Sequence, residues 1–401
     1  MSVHPAASHP QHQHHHPLFW FTSLFIFRYL RLIVHLISFW LYRPARIPIH
    51  PSVTSRDVTV ILPTVDPENR DFRECIQSCL RNRPAEILIV TAEMANKRHQ
   101  VAVAIPHVRT AITLLLDDHV FWPSSHFLQT VLAPFEDPAV GAVGMNKRVR
   151  RTDVGFNIRS FWNMIGAIYL ERHNFETRAT NTVDGGVFVI SGRTSLHRTE
   201  ILQNKEFLRG FKNEMFFFGL CGPLNPDDDN YITRFEVRQG WKIKIQYGPD
   251  AVIETTLGTY PKFLSQCLRW VRTTWRSNSC SLFTDRTVWF RQPWCVYAVY
   301  ITSFFNFALF NDLGLAYLLW DSPYGSRQNL YLLAVWILAT KMVKLFPYFL
   351  RHPEDLRMLL GYFVFAYFHS FVKLYALLTF WNCHWGGRDL KSLNEAAEGQ
   401  K

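Results

Sequence analysis

The run Ala111-Ile112-Thr113-Leu114-Leu115-Leu116 passes directly into Asp117-Asp118-His119, and that junction leaves the chain few folds. An apolar run of this length is stable as a strand only in a sheet covered on both faces, where strands lose their polar alternation. Two earlier runs have the same character: Val58–Leu62, stopped by Pro63, and Glu86–Val90, with a helical stretch over 71–82 between them. Strands separated by helices predict an α/β fold with a mostly parallel sheet over 57–250. Ligands of such sheets sit at the carboxyl ends of strands, where Asp117 and Asp118 stand.

The chain is 48% hydrophobic and 15% aromatic, more aromatic surface than a soluble domain uses. Residues 17–42 are long enough to cross a bilayer, which takes about 20 residues. Arg28, Arg31 and His35 interrupt them, as in a tilted helix with snorkelling arginines, and no small-residue cleavage site follows. Arg43 and Arg46 place the next domain on the cytosolic side. Apolar segments near 293–320, 329–350 and 356–381 are each long enough to span. Charges inside them (Lys341, Lys344, Lys373, with His369) should face protein or water rather than lipid, with snorkelling at a helix end an equal alternative for Lys341 and Lys344. The layout is then a His-rich tail (1–16), a transmembrane helix (17–42), a catalytic domain (57–256), motif and interfacial helices (257–290), a membrane region of about three spans (293–385) and a polar tail (386–401). The histidines of the first tail have nothing to fix a coordination geometry and read as a polar tail.

A net charge of +11 admits nucleic acid, anionic lipid or a diphosphate as partner. No nucleic-acid motif or basic stripe is present, which leaves lipid and diphosphate. The seven cysteines form no C-x-x-C pair, which argues for a reducing compartment. Cys75 and Cys79, one helical turn apart, read as buried small residues rather than ligands.

Three clusters carry chemistry. Asp117-Asp118 at a strand end suits a hard divalent cation such as Mg²⁺ or Mn²⁺, which takes one or two carboxylates and phosphate oxygens. The plain alternative is an Asp capping the next helix. Asp227-Asp228-Asp229 precedes a helix from Asn230; adjacent acids raise one another's pKa, so one can act as a general base. The alternative is an acidic helix start held by the dipole. Gln266, Arg269 and Trp270 fall at i, i+3, i+4 on an amphipathic helix and share a face. The Arg can hold a diphosphate and the Trp can stack on a sugar ring. An aromatic-basic interfacial face is the alternative, and Arg272 and Arg276 are read that way.

In this order, the clusters resemble the processive family 2 glycosyltransferases, the group of hyaluronan, chitin and cellulose synthases, and most nearly the hyaluronan-synthase-like polysaccharide synthases of filamentous fungi. The resemblance covers roughly residues 57–390. It implies a GT-A domain fused to transmembrane and interfacial helices, and inverting transfer from a UDP-sugar to a growing β-linked cell-wall polysaccharide exported across the plasma membrane. It implies Asp229 as catalytic base beside Asp228. Asp66, Glu68, Lys97, Arg98, Asp117, Asp118, Gln266, Arg269 and Trp270 would bind the nucleotide-sugar, with the cation on Asp117 and His119. Ser191, Gly192, Trp270, Trp385 and Arg388 would line the acceptor path. His119 stands where an Asp is usual and suits Mn²⁺ better than Mg²⁺. The second strand ends in Thr91-Ala92-Glu93, without the usual uridine-binding Asp, so Glu93, Asp66 or Glu68 takes that place. Expected partners are the UDP-sugar, the polysaccharide and membrane lipid, with no nucleic acid. A lipid (ceramide-type) glycosyltransferase and an inactive membrane scaffold are the competing readings.

Overall fold

The structure, a computed structural model, describes residues 15–92, 96–153 and 155–383. Its strands are β1 (Val58–Thr64), β2 (Glu86–Thr91), β3 (Ile112–Leu116), β4 (Val120–Phe121), β5 (Val140–Val149), β6 (Thr194–Arg198), β7 (Lys242–Gln246) and β8 (Val252–Thr255). They form one sheet in the order β2-β1-β3-β6-β5-β8-β4, with β7 also paired to β5. β1 and β3 are buried along their whole length, as their apolar runs require. β2 is the edge strand and is half exposed.

The sheet is mixed. β1 runs parallel to β2 and β3, and β5 parallel to β7 and β8. β6 is antiparallel to both β3 and β5. This reversal builds the site: because β6 enters where β3 leaves, Thr194 pairs with Leu116, and the Asp117 N–H donates to the Arg193 carbonyl at 2.9 Å. β6 carries no apolar run to announce it. Its inward groups are polar and satisfy one another, with His197 Nδ1 2.6 Å from Glu236 and Nε2 2.8 Å from Ser195.

Helices cover the sheet. Asn69 caps Arg70–Arg81 by accepting from the Asp71 N–H at 2.9 Å, and Cys75 and Cys79 lie buried as free thiols on its inner face. The helix Ile158–Asp184 starts at an Asn157/Ser160 capping box and stops at Gly185, whose φ of 74° suits glycine. Asn174 fastens it to β5, donating to the Lys147 carbonyl at 2.7 Å. The helix Lys262–Ser279, which carries Gln266 to Trp270, packs through Phe263 and Cys267 against Ile158–Asp184 and against Leu359–Leu377.

Two helices among the described residues are long and apolar enough to cross a membrane, the N-terminal His15–Leu41 and Pro353–Leu377. The expected span near 293–320 is instead two helices, Pro293–Phe305 and Ala308–Trp320, bent by 87° at Asn306-Phe307; counted together they make a third. The expected span near 329–350 is a 17-residue helix, Arg327–Val343, followed by the short Phe346–Arg351. Large apolar side chains look outward from these helices, Trp40, Leu360 and Val364 among them. Lys341 and Lys344 do not snorkel: they pair with Asp312 and Glu176 inside the protein. Glu93, Trp385, Arg388 and nearly all of both polar tails lie outside the described residues.

Phe263 is fully buried among Trp162, Tyr169, Trp270 and Phe365, where the sheet domain meets the C-terminal helices. Phe263→Ala is expected to cost about 3–5 kcal/mol and to lower the thermal unfolding midpoint in detergent. Phe290→Ala, at a side chain 90% exposed, should leave the midpoint unchanged.

Candidate active site

Asn96 caps the helix Lys97–Ala104 and sets Lys97 at its first position. Lys97 is buried, and its Nζ donates to Asp117 Oδ1 at 2.7 Å and the Gly192 carbonyl at 2.6 Å, with Asp228 Oδ2 3.2 Å away. Burial disfavours the ammonium, but Asp117, Asp228 and Asp229 more than compensate and hold its pKa above the ordinary lysine value. A strand end, a helix start and a turn are thus joined at one cation.

Asp229, in the first turn of the helix Asp228–Gln239, turns towards that turn. Its Oδ2 accepts from the Gly192 N–H at 3.0 Å, and its Oδ1 from the Asn230 backbone and side chain at 2.9 and 3.0 Å. Burial, with the Asp228 charge added, pushes its pKa up to about 6 against Lys97 and the Gly192 N–H, which pull it down. A Cβ on Gly192 would lie 3.2 Å from both Asp229 Oδ2 and Lys97 Nζ, so a larger residue there would press on both groups.

Asp227 has a different task. Its φ of 68° is unusual for a side-chain-bearing residue. Buried Arg276 holds it, donating from Nε to Oδ2 at 2.7 Å and from Nη2 to Oδ1 at 3.1 Å, and the Thr273 hydroxyl also donates to it. Arg276 therefore corrects the interfacial expectation: it is 1% exposed and belongs to the acid cluster's support. Arg272, half-buried, bonds the Thr379 hydroxyl at 3.0 Å.

Asp118 accepts from Thr64 Oγ1 at 2.9 Å and lies 3.0 Å from His119 Nδ1. Asp66 is reached from the same Thr64, whose hydroxyl accepts its N–H at 3.1 Å. Glu68 is exposed and pairs with Arg73, away from this contact network. Arg98 is a buried clamp rather than an open anion ligand, donating to Glu214 and to the Phe211 and Pro226 carbonyls. Gln266 accepts from the Gly258 N–H at 3.3 Å. The Ser191 hydroxyl accepts from the Arg193 N–H at 3.4 Å. Trp270 packs on Tyr169 at 5.2 Å between centroids, and the Arg193 guanidinium lies 5.4 Å from its ring.

Two basic residues escaped the sequence reading. Arg193 spans from Trp270 to the field of Asp117 and Asp229. Lys147, buried in β5, has its Nζ 2.9 Å from His173 Nδ1; burial, assisted by Arg193 and opposed by Asp229, pushes its pKa down to about 7. The strand-end rule that marked Asp117 would have marked Lys147 near the end of β5 as well.

Asp117 and Asp118 supply hard oxygen donors, the chemistry a divalent cation takes when a diphosphate fills its other positions. No group of three candidate ligands converges among the described residues. His119 Nδ1 faces Asp118 rather than joining Asp117 in such a group. The arrangement can neutralise a diphosphate at Asp117-Asp118 and Lys97 and accept a proton at Asp229, with Trp270 as a flat surface alongside.

A reaction that uses Asp229 as proton acceptor is expected to lose kcat/KM tenfold per pH unit below about pH 6. Asp228→Asn removes a charge that opposes this ionisation, so the acid limb should move to lower pH. Initial rates from pH 4.5 to 8 for both proteins check this.

A profile for "Glycosyltransferase like family 2" matches residues 45–273. The chain is 42% identical over 401 residues to a "Type 2 glycosyltransferase" of Gibberella zeae, covering 92% of this chain and 76% of that one. It is 26% identical over 335 residues to a hyaluronan synthase of Streptococcus pyogenes, covering 80% of this chain and 73% of that one. Its fold is similar to that of the mannosyltransferase PcManGT from Pyrobaculum calidifontis, solved with GDP-Man and Mn²⁺, at a TM-score of 0.52 and 15% identity over 89% of this chain and 97% of that one.

Proposed function

This chain belongs to the family 2 glycosyltransferases, and we propose that it is a membrane-embedded inverting enzyme that moves a sugar from a UDP-sugar to a growing β-linked polysaccharide. The observation that carries the reading is Asp229: a half-buried carboxylate with a raised pKa, fixed by the Gly192 N–H beside a cation-neutralised acid cluster. Two apolar helices with outward-facing Trp and Leu support the membrane setting, and Arg43 and Arg46 after the first of them support a cytosolic catalytic domain, at the plasma membrane in this reading.

The acceptor hydroxyl lies on Trp270 and gives its proton to Asp229. Its oxygen bonds the anomeric carbon as the bond from that carbon to the diphosphate oxygen breaks, and the electron pair leaves with UDP. Lys97 stabilises the developing charge on the diphosphate. Arg269 joins it: it shares a helix face with Thr273 and Arg276, which both bond Asp227. Asp117 and Asp118 would hold a divalent cation, which supplies further neutralisation of the diphosphate when bound. Asp66 lies beside this edge for the nucleotide.

Asp229→Asn is expected to lower kcat by at least two orders of magnitude, in line with loss of a general base, while UDP binding by calorimetry stays within a few-fold. Turnover within a few-fold of the parent enzyme would remove Asp229 from this role. Trp270→Ala should raise the ratio of UDP released to sugar incorporated, because stacking holds the acceptor whereas water can still attack the donor. A panel of labelled UDP-sugars, with products sized by gel filtration and extracted into organic solvent, separates a polymer from a glycosylated lipid. Absence of UDP release from every donor would leave the inert scaffold.

A further inference from the structure

A cavity of about 140 Å³ lies among the membrane-type helices. Tyr169 forms part of its wall. Six cations line it: Arg28, Arg31, Arg172, Lys341, Lys344 and Lys373. Two carboxylates pair with them, Asp312 with Arg28 and Lys341, and Glu176 with Lys344. The other three cations hydrogen-bond neutral groups, with Glu176 also within the electrostatic reach of each: Arg31 donates to the Ala298 carbonyl and Thr302, Lys373 to the Ser303 and Asn306 carbonyls, and Arg172 reaches Tyr362. Six basic side chains thus share two carboxylates. Arg28 Nη1 and His369 Nε2 are also buried there without a hydrogen-bond partner.

Such an excess of basic groups among apolar helices is costly unless an anion enters. The volume suits one small group, since a cavity of about 150 Å³ holds a single benzene. The outer faces of the same helices carry exposed Leu332, Val335, Leu360 and Val364, against which acyl chains can lie. We propose that this cavity binds the phosphate of a phosphate-bearing lipid, with the guanidinium and ammonium groups on its oxygens and the lipid chains along the outer helix faces. Sugar transfer is not needed for this binding, so the proposal goes beyond the reaction at Asp229.

The test uses the full chain purified in a neutral detergent. Binding of labelled dioleoyl phosphatidic acid is measured in competition with phosphatidylcholine, inorganic phosphate and a glucuronic acid oligosaccharide. Phosphatidic acid should bind at least tenfold tighter than phosphatidylcholine, and neither soluble anion should displace it at equal concentration. Lys373→Gln should weaken it about fivefold, the equivalent of about 1 kcal/mol per basic residue. Glu176→Gln, which removes the carboxylate paired with the lining Lys344, should tighten it. General damage would weaken both variants; the opposed signs, with unfolding midpoints monitored, separate charge from folding. Equal affinity for the two lipids, or weakening in both variants with midpoints retained, would overturn the proposal. So would displacement by inorganic phosphate, which would make the cavity a free-anion site, or by the oligosaccharide, which would make it an acidic-polymer site.

Discussion

One ammonium holds the site together. Lys97 reaches Asp117 at the end of β3, Asp228 at the start of a helix and the Gly192 carbonyl before β6. Without it, neighbouring carboxylates in a buried place would repel one another and the three segments would separate. The contact runs against local preference, since a lysine at the first position of a helix faces the positive end of its dipole. The acids overcome that cost, and in return Lys97 sets the spacing at which a diphosphate can be bound.

Three consecutive aspartates occupy three environments, and the division follows from backbone geometry. Asp227, in the left-handed region, is pinned by Arg276 and Thr273 of the motif helix. Asp228 and Asp229 then open the next helix, one towards Lys97 and the other towards Gly192. Arg276 thereby transmits the position of the motif helix to the residue two before the base. Arg269 lies on the same face, and Trp270 beside it. A displacement of this helix moves Arg269, Trp270 and, through Arg276, Asp227 together, which is how Gln266 to Trp270 stays in register with acids some forty residues earlier in the sequence.

Much of this was legible in the chain. β1 to β3 follow from apolar runs, and the acid at the end of β3 from the strand-end rule. The pairing of Gly192 with Asp229 was not, because β6 is a short polar strand whose burial is balanced by His197, Glu236 and Ser195 rather than by apolar side chains. Hydrophobic pattern cannot mark such a strand. Arg276 and Arg98 were misread for one shared reason: a basic residue on a helix looks the same in sequence whether it faces headgroups, a substrate or a buried partner. The partners, Asp227 and Glu214, come from distant segments. The helix break at Asn306-Phe307 was hidden because its flanks are as apolar as an unbroken span.

The charges near the two members of the Trp270–Tyr169 pair are opposite in balance, and this constrains what the aromatic pair can do. Near Trp270 the acids of the strand ends are neutralised chiefly by Lys97, with Arg193 above the Trp270 ring. Around the cavity that Tyr169 lines, six cations outnumber two carboxylates. Direct contact between the two sets would form ion pairs and collapse the space each keeps open. Ring faces contribute dispersion and stacking to a neutral sugar whatever the field around them. Trp270 can therefore hold an uncharged acceptor where a charged side chain in its place would be drawn to one set or the other.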